Sequence, residues 1–347
     1  MGEKPHILLT GASGTVGRAV LELLHADRSR YRLTVLDKWS REASQFYAPY
    51  KDEIEVIYGD ISKLQDSAAA CKDVDYVIHL AALIPPQADA LPELAYQVNV
   101  VGTANIVKNL ELYSPGAFLL YSSSIAIYGD RLANPWIRVG DALQPSAGDA
   151  YARTKIAAEQ CLQDSALDWS VFRLTAIMDG HKLSGLMFHM PLATCMEIAT
   201  PTDTARALVG ALQKRELLSR RIFNLGGGEA CRIMYRDFLQ RSFALLGLGR
   251  LNFPEKAFAE VNFHCGYYAD GQDLEDILHF RRDTIDSYFV KLKAETPFWK
   301  RLLMFLLRWF IKRYLLAQSE PYHAYRKQDA ALARRFFGAS GSDTGTS

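Results

Sequence analysis

Tyr151 and Lys155 stand four residues apart in Tyr151-Ala152-Arg153-Thr154-Lys155, and Ser122-Ser123-Ser124 precedes them. On a helix that spacing puts a phenol and an ammonium on one face, one turn apart. A free phenol ionises near pH 10, too high for an efficient base at neutrality, and a neighbouring ammonium favours its phenolate. Tyr151 would then exchange a proton with a carbinol or ketone oxygen, Lys155 would lower its pKa and hold a ribose, and Ser124 would donate a hydrogen bond to the same oxygen. Such chemistry needs a hydride carrier. A place for one is Gly11-Ala12-Ser13-Gly14-Thr15-Val16-Gly17, set between the apolar run His6–Thr10 and the helically spaced run Val16–Leu24. Here Gly11 would make the tight turn, Gly14 would let a pyrophosphate approach, and Gly17 would let the helix lie close to the sheet. Free N–H groups of the turn would face the phosphates, with Ser13, Thr15 and Val16 belonging to this cofactor site. Each feature alone has an ordinary alternative: a chance glycine turn, an aromatic and a cation on a solvated helix, a small polar loop after a strand.

About 20 residues beyond Gly17 the strand-like run Leu33–Leu36 ends at Asp37, whose carboxylate would accept from an adenosine ribose and repel a 2′-phosphate. That favours NAD over NADP, although Lys38 and Arg41 are basic groups close enough to tolerate the phosphate in part. Five further short apolar runs, Ile54–Tyr58, Tyr76–Leu80, Ala117–Tyr121, Ser170–Leu174 and Ile222–Leu225, alternate with helical patterns. Seven such strands joined by crossovers imply an α/β fold, a doubly wound parallel Rossmann sheet with its ligands at the strand carboxyl ends.

Six ordered motifs now resemble the extended short-chain dehydrogenase/reductase superfamily, the NAD-dependent epimerase/dehydratase group. They are the glycine turn, Asp60-Ile61, His79-Leu80-Ala81-Ala82, Val98-Asn99-Val100-Val101-Gly102-Thr103, Ser123-Ser124-Ile125-Ala126-Ile127-Tyr128-Gly129, and Tyr151 through Lys155. The resemblance spans roughly the first two thirds of the chain, a span typical of a large domain. It implies that Asp60 and Ile61 lie by the adenine, that Ala81 and Ala82 lie by the cofactor ribose, and that Asn99 and Ser122 belong to the cofactor site. Ser124, Tyr151 and Lys155 are then catalytic, and a homodimer through helices beside the sheet is expected. Departures narrow the reaction. The Asp-Glu pair that the family's 4,6-dehydratases carry after the catalytic hydroxyl residue is replaced by Ile125 and Ala126. The arginine that grips a nucleotide diphosphate is absent from Met196–Asp203, and Thr175-Ala176 stands where the family's Arg-x-x-Asn has its Asn. Nucleotide-sugar recognition is therefore not expected from these positions.

The region that would meet the substrate is instead apolar. Leu183–Met196 holds three methionines and a phenylalanine, suited to a lipophilic molecule or, equally, to the core of a small lobe. His181 and His189 read as structural or surface residues, and no spacing of His, Cys or carboxylates resembles a metal site. The division expected is a Rossmann domain of 1–180 plus 201–228, a substrate lobe of 181–200 plus 229–296 with helical runs over Tyr235–Leu248 and Leu274–Lys293, and an extension of 317–347 with a helix over Arg326–Phe337 and a flexible polar tail. Between lobe and extension, 297–316 is bulky and apolar but interrupted by Lys300, Arg301, Arg308, Lys312 and Arg313. Its longest uncharged stretch, Leu302–Leu307, falls far short of the roughly 20 residues that span a bilayer. At about 100° per residue, Arg301, Arg308 and Lys312 share a narrow face, and Trp299, Leu303, Leu306, Phe310 and Tyr314 lie across a broad apolar one. This is the pattern of a basic helix in a membrane interface, with packing on the domain, oligomer contact and a partner groove as the competing uses.

A chain of 347 residues that is 49% hydrophobic supports one large domain and a lobe, and a net charge of +1 exerts no general pull on nucleic acid. Cys71, Cys161, Cys195, Cys231 and Cys265 show no close pairing and read as thiols of a reducing compartment. With no signal-peptide core at the amino terminus, the expectation is a cytoplasmic enzyme, peripheral at the membrane. The function expected is NAD-dependent interconversion of a secondary alcohol and ketone on a lipophilic small molecule. A nucleotide-sugar 4-epimerase with retained NAD and a non-catalytic cofactor sensor or scaffold are the alternatives.

Overall fold

The computed structural model describes residues 4–180 and 183–338; His181 and the tail from Ala339 lie outside the described residues. All seven expected runs are strands of one parallel sheet: β1 His6–Thr10, β2 Arg32–Asp37, β3 Glu55–Tyr58, β4 Tyr76–His79, β5 Phe118–Ser124, β6 Asp168–Leu174 and β7 Arg221–Leu225. Their order is β7-β6-β5-β4-β1-β2-β3, so the winding reverses between β1 and β4. Leu9 of β1 lies opposite Val35 on one side and Ile78 on the other. Because helices cover both faces, every residue of β1 is buried, which is why these strands read as continuous apolar runs rather than alternating ones.

The covering helices are α1 Thr15–Ala26, α2 Gly102–Tyr113, α3 Ala150–Gln163 and α4 Pro201–Ala211. Val20, Leu21 and Leu24 of α1 pack with Ala205, Leu208 and Ala211 of α4 over Ile7, Leu9 and Val35. On the other face Ile106 and Leu110 of α2 and Ala158 and Leu162 of α3 cover Leu8, Val77 and Leu119.

Among the described residues six α-helices follow β7: α5 Tyr235–Leu245, α6 Gln272–Leu278, α7 Ile285–Glu295, α8 Phe298–Leu316, α9 Glu320–Lys327 and α10 Ala330–Phe337. The lobe has its own core, in which Phe238 and Phe243 of α5 and Tyr288 and Phe289 of α7 enclose Met187, Phe188, Met190 and Met196. The methionines of 183–196 therefore fill this core and form no part of the ligand cleft. The helical run expected over Leu274–Lys293 is broken at His279, a left-handed residue with φ of 48°. Its first part, α6, turns back so that Leu274 and Phe280 join the core of the sheet domain rather than the lobe. Similarly, the helix expected over 326–337 breaks at Gln328 (φ 53°), and Asp329 caps α10, accepting from the N–H groups of Ala331 and Leu332. Among the described residues no helix is long and apolar enough to cross a membrane.

One buried ion pair ties α3 to the sheet. Arg173 of β6 donates from Nε and Nη2 to the two carboxylate oxygens of Glu159, at 3.0 and 2.8 Å, and its Nη1 donates to the Tyr128 hydroxyl and the Val139 carbonyl. Both side chains are almost wholly buried. Removing one member would strand the other charge, so Glu159→Ala is expected to lower the unfolding free energy by about 3–5 kcal/mol. Urea denaturation checks this, with the m-value unchanged if only stability is affected.

Candidate active site

The carboxyl ends of the strands open into one cleft of about 610 Å³, lined in turn by Gly11, Asp37, Asp60, Ala81, Ser124 and Leu174. The turn after β1 is packed too tightly for side chains. Gly11 has φ of +70°, and a Cβ there would stand 2.7 Å from the Ala81 nitrogen; one on Gly17 would stand 2.6 Å from the Ala12 Cα. Gly17 thus lets α1 close on the turn itself, a tighter constraint than approach to the sheet. Gly14 meets only the Gly11 carbonyl, at 3.3 Å, and lines the cleft together with Ser13, Thr15, Val16 and Gly17. No side chain caps α1, so its first-turn amides remain available to an anion.

Asp37 is held in place before any ligand arrives. Its Oδ2 accepts from the Ser13 N–H at 2.9 Å and the Tyr47 hydroxyl at 2.6 Å, while Oδ1 accepts from the Lys38 N–H at 2.8 Å. Lys38, the basic residue of concern for a 2′-phosphate, is paired with Asp60 at 3.2 Å, and Arg41 begins the helix Arg41–Tyr47 without lining the cleft. Burial opposes ionisation of Asp60, yet Ser62 and Lys38 hold its carboxyl below the usual range.

Every residue expected at the site lines this cleft except Asn99. The amide of Asn99 is fully engaged, accepting from the Leu83 N–H and donating to the Leu83 carbonyl and the Thr154 hydroxyl. It braces the cleft wall at Leu83 against Thr154 of α3. Ser122, Ser124, Tyr151 and Lys155 converge at the cleft's middle, with Ser124 ending β5 and the other pair on α3, whose N-terminus Asp149 caps by accepting from the Ala152 N–H at 2.8 Å.

Residues 7–179, about half the chain, match the model of the NAD dependent epimerase/dehydratase family. The chain belongs to this family. It is 27% identical over 196 residues to mouse (Mus musculus) 3 beta-hydroxysteroid dehydrogenase type 7, a match covering 54% of this chain and 47% of that protein, so the chain spans about half the length of that relative. It is 26% identical over 260 residues to D-erythronate dehydrogenase of Cupriavidus necator, covering 64% of this chain and 77% of the relative. In fold it is similar to UDP-glucose 4-epimerase from Bifidobacterium longum, solved in complex with NAD+ and UDP. That match has a TM-score of 0.68 at 18% identity, covering 84% of this chain and 98% of the other.

Epimerase/dehydratase-family chemistry depends on NAD, and the residues present fit it: a turn where Cβ atoms find no room, uncapped helix amides, and an oriented carboxylate at the end of β2. The corner formed by Ser124, Tyr151 and Lys155 differs from the sequence expectation in one respect. Burial pushes the Tyr151 phenol above its ordinary pKa, and the group that offsets this is the Ser124 hydroxyl. Lys155 lies 5.8 Å from the Tyr151 ring, and its ammonium is committed elsewhere, donating to the Ser122 carbonyl at 2.7 Å and the Tyr121 hydroxyl at 3.2 Å. Tyr121 was not a candidate from sequence, because a tyrosine inside an apolar strand run reads as core. Its own phenol is pushed well above the ordinary value by burial, so it stays neutral and can serve as acceptor. His79 is likewise structural. Burial and the Lys155 charge push it down to about 3, and its neutral ring links Thr10 at 2.7 Å to Thr103 at 3.0 Å.

Burial also pushes Lys155 down to about 7 from 10.5, against the pull of Glu159. In the unfolded chain the amine regains its ordinary value, so between those limits the unfolded state binds the extra proton and the fold gains stability as pH rises. Relative to Lys155→Met, the unfolding free energy of the unmodified protein is expected to climb by about 1.4 kcal/mol per pH unit across that window. Denaturation midpoints measured at two pH values inside the window check it; parallel profiles would show that the ammonium is not held in an apolar setting.

Proposed function

We propose that this protein is an NAD-dependent oxidoreductase that interconverts a secondary alcohol and a ketone on a lipophilic substrate. The observation that carries the reading is the convergence of Ser124, Tyr151 and Lys155 where the glycine turn meets an apolar cleft wall of Leu83, Ile84, Leu94, Val98 and Ile177. This wall takes the place of the methionine run as the basis for a lipophilic substrate. Among the described residues lining the cleft the cations are Lys38, already paired at the Asp37 end, and Lys155, which favours an uncharged substrate over a nucleotide diphosphate sugar.

NAD, when bound, supplies the hydride acceptor for the substrate carbon. The chain supplies the rest. Ser124 and Tyr151 hold the substrate oxygen, and Tyr151 takes the carbinol proton during oxidation or returns it during reduction. Lys155, fixed by Ser122 and Tyr121, orients a ribose hydroxyl and adds the positive charge that favours phenolate as the site fills. Asp37 accepts from the adenosine ribose, and its charge disfavours a 2′-phosphate.

Tyr151→Phe is expected to bind NADH as tightly as the unmodified protein, by fluorescence titration, while losing about 10²–10⁴ in single-turnover rate on a panel of apolar secondary alcohols. Undiminished turnover would sink the assignment of Tyr151. Stoichiometric NAD retained through purification, with no net NADH formed, would replace this reading with a 4-epimerase. A biological output lost in Tyr151→Phe without any measurable chemistry would point to a cofactor sensor. Asp37→Ser is expected to weaken NADH binding and narrow the preference over NADPH; an unchanged ratio of the two affinities would mean that Lys38 and Asp60 set the choice.

A further inference from the structure

Helix α8 docks on the lobe with the opposite face from that of an ordinary surface helix. Met304, Ile311 and Leu315 pack on the lobe core, and Arg301 and Lys312, half-buried, lie on the same side. Lys312 is tied down there, donating to the Arg250 carbonyl and to Asn252 Oδ1, both at 2.6 Å. The outward side carries Phe298, Trp299, Leu302, Leu303, Phe305, Leu306, Trp309, Phe310 and Tyr314. Trp299, Leu306, Phe310 and Tyr314 are 66%, 67%, 64% and 68% exposed. Taken at about 100° per residue, these side chains sweep roughly half the helix circumference. A contiguous apolar surface of this extent marks an interaction site.

The chain on either side of the helix is tied to the rest of the fold. Two turns before it, Lys291 of α7 reaches Asp179 of the cleft wall at 3.9 Å, and just after it Gln318 accepts from the Gly185 N–H at 3.1 Å. Charge decides what covers it. Five cations and no carboxylate occur between Pro297 and Ser319, and Lys300, Arg308 and Arg313 are exposed beside the aromatic rings, Arg308 over Phe305 and Arg313 over Trp309. A second copy of this helix would bring like charges together with nothing between them, whereas an anionic leaflet supplies the counter-charge.

We propose that the outward face of α8 docks this protein on an anionic lipid bilayer, the helix lying in the interface with Trp299, Trp309 and Tyr314 at headgroup depth. Docking of this kind needs neither hydride transfer nor substrate, so it stands or falls apart from the redox reading. The test is co-flotation of the full chain with vesicles of phosphatidylglycerol and phosphatidylcholine mixed equally, and with phosphatidylcholine alone. A variant combining Trp299→Glu, Leu306→Glu and Phe310→Glu runs in parallel, with NADH titration and size-exclusion chromatography on each protein. Expected are salt-sensitive binding to the mixed vesicles, weaker binding to phosphatidylcholine, and a loss of about tenfold or more in the variant, which keeps its fold and NADH affinity because the three side chains face away from both cores. Absence of flotation with the mixed vesicles overturns the proposal. So does a dimer that ignores vesicles and becomes a monomer in the variant, which would make a second copy the occupant.

Discussion

The site rests on one close approach of backbone to backbone. The turn after β1 lies against the turn after β4, with Gly11 facing Ala81 at a distance that leaves no room for a Cβ, and Gly17 brings α1 down onto the same turn. Thr10, the last residue of β1, fastens the contact: its hydroxyl accepts from the Leu80 and Ala81 N–H groups and meets the His79 ring. Here the winding order of the sheet reverses, so the helices diverge and a cleft opens. The placement of Asp37, Ser124 and Tyr151 relative to each other follows from that junction, because each sits at the end of a strand or the start of a helix registered against it.

Burial governs the electrostatics of the corner where Tyr151 and Lys155 lie. In the chain itself it raises the Tyr151 phenol and lowers the Lys155 amine, the opposite of an ion pair poised for catalysis. The ammonium is kept by a carbonyl, a neutral phenol and the distant Glu159 carboxylate rather than by Tyr151. A corner so arranged is made ready by what binds in it. Under the proposed reading, the positive charge and hydroxyls of a bound cofactor would be the missing stabilisers of the phenolate, coupling proton transfer to cofactor occupancy.

The lobe shows the same economy of apolar surface with a different outcome. Its methionines and phenylalanines close a core of their own, leaving the cleft wall to be built from 83–98 and from Ile177. The helix α8 satisfies that core with only four of its apolar residues, Met304, Ile311, Leu315 and Leu316, and presents most of the remainder outward. A helix whose lysines and arginines lie partly against protein while its aromatic residues face outward cannot be understood from the folded chain alone.

The strands, the glycine turn, Asp37 and the Ser124, Tyr151, Lys155 set were legible in the sequence, because buried parallel strands are continuous apolar runs and a dinucleotide turn constrains residue type at each step. Local pattern also exposed the amphipathic helix over 297–316. It could not say which face would meet the protein, since docking there was decided by the match of Met304, Ile311 and Leu315 to a core assembled from 187–292. For the same reason Asn99 passed for a cofactor ligand, when the packing of the turn Gln97–Val101, just before α2, against α3 makes its amide a brace. Tyr121 passed for core until the fold set it beside Lys155. Residue type and spacing determined the chemistry this chain can hold; only long-range packing decided which polar groups reach the cleft, because a buried amide, phenol or ammonium is directed by partners far away in sequence.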